Sequence, residues 1–219
     1  MSVLYPPYKP SIFGRMVSGG DVESWCVALA KRWMGTYMSE AERQAGIPAG
    51  TYARPRSYVR TISFDKWPED QLPAFMLVSA GIASAPTREG DGTYSARWLM
   101  GLGLLCSART QQESHDMALL MTEAARTLFV QKASLDGHAD GTQWLDERND
   151  DLTYDDIRSL SSGQAHFAVT VADVVSAGKG PAAPDPPLVP DTDPWADWPV
   201  VQTHDEVVVH ETDPLTKEE

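Results

Sequence analysis

The sequence predicts an α+β domain in which a mainly antiparallel sheet of about four strands is packed by two main helices, with an extended C-terminal arm beyond it. Three observations carry this. Apolar residues recur at helical spacing in two separate stretches, after Asp21 and after Thr110. Between and beyond those stretches lie apolar runs that alternate, or are continuous, over strand-like lengths. Finally, the last 41 residues, Lys179 to Glu219, hold eight of the 16 prolines with ten acidic and two basic residues, so they carry -8 of the formal -13. A proline-rich stretch of like charge cannot bury enough apolar surface to offset its ordering entropy. Residues 1–20 are accordingly an N-terminal extension, 21–178 the folded domain and 179–219 the arm. A chain of 219 residues with 42% hydrophobic content supports one sizeable core.

In chain order, Val22, Trp25, Cys26, Leu29 and Trp33 share one helical face and predict a helix from about Asp21 to Met34. Ser39 to Gln44 adds a turn or two, and AGIPAGTYARPRS reads as loop from its prolines and glycines. Tyr58 to Ile62 is a short strand. Ala74 to Ile82 is continuously apolar, as in a strand buried on both faces. Trp98, Met100, Leu102, Leu104 and Cys106 alternate onto one strand face, with Gly101 and Gly103 on the other, where missing side chains admit a close neighbour. Thr110 and Glu113 form a capping-box signature, and Met117, Leu120, Met121, Ala124 and Leu128 then predict a long helix over about Gln111 to Lys132. Gln143 to Arg148 is a candidate strand, Asp155 to Leu160 a short helix, and Gln164 to Val175 the closing strand.

The net charge argues against a general nucleic-acid or acidic-membrane footprint. The N-terminus lacks the basic and apolar regions of a signal peptide, so folding in a reducing cytoplasm is expected. Phe75 to Ile82 and Trp98 to Cys106 are far shorter than the roughly 20 residues of a membrane span. Cys26 and Cys106 lack metal spacing and read as buried free thiols.

Motifs for catalysis are sparse. His115, predicted on the exposed first turn of the long helix, and His138, His166, His204 and His210 fall in no HExxH, HxH or Cys/His pattern. His138 with Asp136 and Asp140 resembles a turn more than a metal site. The acidic run Asp146 to Asp156 lacks the glycine and closing glutamate of a calcium loop and reads as a solvated loop. MGLGLL is a packed strand, not a phosphate cradle. No carboxylate pair is set apart for acid/base work, and no cofactor is expected. One basic patch runs against the overall charge, Arg54, Arg56 and Arg60 among Tyr52 and Tyr58. A contact with an acidic protein neighbour fits it better than stacking on single-stranded nucleic acid, and another copy supplies such acid at Asp146, Glu147, Asp150 and Asp151. In the arm, Trp195 and Trp198 within WADWP, and the β-prone Val207, Val208 and Val209, read as anchors for a partner.

The segments FDKWPEDQLPAFMLVSAG, GTYSARWLMGLGLLCSART, ALLMTEAARTLFVQ, GTQWLDERND and SGQAHFAVTVADVV resemble tail terminator proteins of siphophages that infect actinobacteria, a likeness that covers roughly residues 21 to 178. The resemblance implies a structural virion protein, not an enzyme, assembled in the host cytoplasm. It implies a homo-hexameric ring that caps the head-proximal end of the tail tube and ends its growth. Tail tube protein would lie below the ring and head-tail connector proteins above, with genomic DNA passing through the lumen without specific binding. An acidic wall that does not hold phosphates suits such passage. The arm and the PPYKP segment depart from the resemblance. The alternatives are another neck component, such as a head-tail joining protein, and a small hydrolase.

Overall fold

The computed structural model describes residues 16–62, 67–90, 92–154 and 158–176, with the backbone alone at 152–154, 158 and 176. The chain divides into two units, Met1–Gly180 and Pro181–Glu219. The second, with Trp195, Trp198, Val207, Val208, Val209, His204 and His210, lies outside the described residues.

The first helix, α1, spans Gly19–Gln44. Ser18 caps it, accepting from the Asp21 N–H while the Asp21 carboxylate accepts from the Ser18 N–H at 2.8 Å. The helix is one element, not the helix and separate turn expected from the sequence. Gly35 interrupts the propensity, but Met34, Met38 and Ala41 carry the buried stripe past it, and that burial outweighs the roughly 1 kcal/mol that glycine costs.

Six strands form one mixed sheet among the described residues, against the four expected. They are β1 (Ser57–Val59), β2 (Ala74–Ile82), β3 (Thr87–Arg88), β4 (Thr93–Ala108), β5 (Gly141–Tyr154) and β6 (Arg158–Ser176). The order is β1-β2-β4-β6-β5, with β3 on β4, and only β1 and β2 run parallel. The second helix, α2 (Gln111–Gln131), follows β4, and Thr110 Oγ1 accepts from the Glu113 N–H at 3.1 Å.

Two differences from the sequence expectation matter for the site. The acidic run is not a loop: Asp146 to Tyr154 belongs to β5 and pairs with β6 along its length. The short helix expected at Asp155 to Leu160 is absent from its described part, since Arg158 to Leu160 begin β6; residues 155–157 lie outside the described residues.

Both helices cover one sheet face. Phe75 and Leu77, Met100, Leu102, Leu104 and Cys106, and Phe167 and Val169 share that core with the stripes of α1 and α2. Phe129 of α2 stacks on Phe167 at 4.6 Å, and Trp144 of β5 stacks on the same ring at 5.7 Å. Gly163 lets α2 approach, because a Cβ there would lie 2.3 Å from Thr122 Oγ1. On the opposite face Leu72, Ile62, Val59 and Trp67 cover Ala74, Met76, Leu105 and Leu160. Gly101 admits this cover, with Ile62 Cδ1 3.2 Å from where its Cβ would be.

Cys26 and Cys106 are free and fully buried in the helix-side core, and burial pushes both thiols well above their ordinary values. We expect neither to react with a thiol reagent in native buffer at neutral pH, and both to react within minutes in denaturant. Titration with a chromogenic disulfide checks this; prompt labelling of the native chain would contradict it.

Candidate subunit interface

The strand order places the two charged segments singled out in the sequence at opposite ends of the sheet. Arg54, Arg56 and Arg60 flank β1, while Asp146, Glu147, Asp150 and Asp151 lie in β5. Each edge strand leaves one row of backbone donors and acceptors outside the ladder.

At the β1 end, only part of the arginine patch faces outward. The Arg54 guanidinium forks onto Glu42, with Nη2 to Oε2 at 2.7 Å and Nη1 to Oε1 at 2.9 Å. The Gly50 and Tyr52 N–H groups donate to the same carboxylate at 2.8 and 2.9 Å. Glu42 is inaccessible to solvent although Arg54 reaches the surface, and the Arg54 hydrogen bonds hold its carboxyl down at about 2. Arg60 Nε donates to Glu23 Oε2 at 2.8 Å, and Glu23 also accepts from the Ser79 N–H. Arg54 and Arg60 thus bind helix α1 to the segment around β1. Arg56 is exposed, forms no ion pair among the described residues, and joins the edge through its N–H to the Pro73 carbonyl at 2.8 Å.

At the β5 end, the acidic residues are partly matched within the chain. Asp146 meets His166 Nδ1 at 2.8 Å, and Asp151 meets His115 Nδ1 at 2.9 Å and the Ser161 hydroxyl at 2.8 Å. The His115 hydrogen bond holds the Asp151 carboxyl below its ordinary value. Glu147 accepts from Arg126 and from Trp144 Nε1, and Asp150 lies 3.5 Å from Arg148. His115 is therefore half-buried beside β5, not fully exposed on the first turn.

Three apolar residues on this side stand outside every pattern in the sequence. His115 and Arg126 show which flank of α2 overhangs β5, and Leu119 and Val130, each four positions on, share that flank. Leu119 is 44% and Val130 52% exposed, and Leu145 on β5 is 43% exposed. Their signal was being apolar yet off the buried stripe of Met117, Leu120, Met121, Ala124 and Leu128.

The chain matches no protein-family model and no curated protein.

The other polar groups weighed in the sequence have local tasks. His138 stacks on Trp25 with centroids 5.0 Å apart, Asp136 pairs with Arg32 at 3.5 Å, and Asp140 accepts from the Ala172 N–H. Among the described residues no three His, Cys, Asp or Glu side chains converge as metal ligands, and no helix is long and apolar enough to cross a membrane.

Proposed function

We propose that this chain is a structural neck component of a tailed phage, a tail terminator that assembles as a hexameric ring on the head-proximal end of the tail tube. It ends tube growth there and offers the head-joining surface, with DNA passing through the lumen. The observation that supports the reading beyond the sequence resemblance is the unlike character of the two sheet ends. One end carries the short β1 and the exposed Arg56; the other carries the long β5, its acidic residues, and Leu119, Val130 and Leu145. Unlike edges joined head to tail make a heterologous contact, which closes into a ring when the rotation fits. The arm from Lys179 acts as a tether to neighbouring neck components.

Native mass spectrometry of the full chain with purified tail tube ends should find six copies. Arg56→Glu should shift that ring toward smaller species at 0.15 M salt or above, each rim contact losing on the order of 1 kcal/mol. Its thermal midpoint as a free subunit should stay that of the parent, because the Arg56 side chain forms no ion pair among the described residues and its backbone bond to Pro73 survives the change. A chain that caps tubes as a strict monomer would overturn the reading. A ring with another copy number that binds connector rather than tube ends would favour a head-tail joining protein.

A further inference from the structure

The ladders of the sheet fix how the groups at its two ends stand relative to one another. At one level Ser57 pairs with Ala74, Ala74 with Leu105, Leu105 with Ser162 and Ser162 with Asp150. Arg56, next to Ser57 and bonded through its N–H to Pro73, therefore stands level with Asp150 and Asp151. Leu119, one helical turn beyond the His115 that bonds Asp151, lies beside them. At a second level Ile82 pairs with Trp98, Trp98 with Val169 and Val169 with Thr142. The Thr142 hydroxyl donates to the Phe129 carbonyl, which brings in Val130, and Leu145 follows three residues along β5. Nine residues separate Pro73 from Ile82 and nine separate Thr142 from Asp151, about 30 Å of strand in each case. Each stretch also holds one extra residue, Ala80 in β2 and Leu145 in β5. Both levels thus end in complementary groups. The first has an exposed cation at one end and carboxylates at the other. The second has Ile82, 46% exposed, at one end, and Val130 and Leu145 at the other. With Val17 and Pro86, Ile82 also lines an apolar cavity of about 370 Å³, so the apolar surface there exceeds one side chain.

We propose that a second copy docks on the flank formed by α2 and β5 in a single polarity, its β2 antiparallel to β5, so that its Arg56 meets Asp150 and Asp151 while its Ile82 meets Val130 and Leu145. Equal spacing on the two sides lets both contacts form at once. The Arg56 stem packs along Leu119 while its guanidinium reaches the carboxylates. In the reversed polarity Arg56 falls on Val130 and Leu145 and Ile82 falls on the carboxylates, which takes charges out of water without partners and selects against that arrangement. Two contacts so far apart also fix the angle between copies more closely than one, and a fixed angle is what a closed ring requires. The inference rests on the ring reading above, and its test separates the two.

Full-length chains with two added surface cysteines decide the polarity, because Cys26 and Cys106 are fully buried. In assemblies formed on purified tail tube ends, a short bis-maleimide should link Arg56→Cys with Asp150→Cys, and Ile82→Cys with Leu145→Cys, into ladders of covalent multimers. The crossed pairs, Arg56→Cys with Leu145→Cys and Ile82→Cys with Asp150→Cys, should stay unlinked. Within one chain the members of each pair stand at least three strand spacings apart, about 14 Å, so the links report neighbours. Charge exchange gives a second reading on native mass spectra. Arg56→Glu should lower the six-copy fraction several-fold, and Asp150→Arg in the same chain should restore it, whereas Asp150→Arg should not rescue Ile82→Asp. Links from the crossed pairs, or rescue of Ile82→Asp, would overturn this polarity and leave the ring standing. A six-copy ring that no matched pair links and no charge exchange restores would overturn the contact itself. A parent chain that never associates would overturn the ring and the docking together. If a cysteine variant fails to fold, the charge exchange still decides.

Discussion

Phe167→Ala is expected to destabilise the folded unit by about 4 kcal/mol and to lower its thermal midpoint by roughly 10 °C. Phe167 is wholly buried and sits between two rings, Phe129 of α2 at 4.6 Å and Trp144 of β5 at 5.7 Å. It thus joins the edge strand, the strand beside it and the helix above. Truncation removes the transfer free energy of a full aromatic side chain and leaves a hole that two flat, opposed rings cannot close without moving their backbones. Phe167→Leu, which fills part of the volume but cannot stack, should lose less than half as much. Denaturant titration followed by circular dichroism measures both, and a Phe167→Ala loss below 1.5 kcal/mol would show that the rings do not bear on one another as described.

Arg54→Met is expected to cost about 3 kcal/mol near neutral pH, because it leaves the sealed Glu42 carboxylate without its cation. The pH dependence separates this from ordinary loss of packing. In the parent chain Glu42 titrates at about 2, below its ordinary 4.5, so it binds fewer protons folded than unfolded. Its contribution is full above pH 4.5 and disappears as pH falls toward 2. In Arg54→Met desolvation is opposed only by the Gly50 and Tyr52 N–H groups, so the folded-state value should rise from the parent's toward the ordinary one. Acidification from pH 4.5 toward 2 should therefore cost the variant less stability than it costs the parent. Stability curves at several pH values test this, and parallel curves would refute the assignment. Arg54 and Arg56, two residues apart, are thus expected to fail in different assays, one in the stability of a single subunit and the other in association.

Both helices and the inner strands were legible as periodicity, since each has a continuous stripe or an alternating run facing one core. Of β5 only Gln143 to Arg148 was, and its continuation to Tyr154 was not. Asp146, Glu147, Asn149, Asp150 and Asp151 have low strand propensity, and read one after another they describe a solvated loop. They form a strand because β6 supplies the partner, and charge on an edge strand discourages unintended pairing. The arginine patch was legible as a patch, but its partners were not. Arg54 and Glu42 lie 12 residues apart, Arg60 and Glu23 lie 37 apart, and no local pattern links them. Distinguishing Arg56 from its two neighbours needed the fold. Leu119 and Val130 were visible as apolar residues, yet their exposure follows from where α2 crosses β5, which no helical wheel contains.

The register of β5 against β6 shifts between Trp144 and Asp146, so Leu145 is an extra residue in an otherwise continuous ladder. Such an insertion bends and over-twists the strand that holds it. A second chain laid straight along β5 would keep its hydrogen bonds on one side of Leu145 and lose step on the other. The edge is therefore a poor template for indefinite polymerisation, since each copy offers two short stretches in place of one long one. The bend thereby discourages chains brought together from threading into fibres, and any strand added to the edge must be shaped to it.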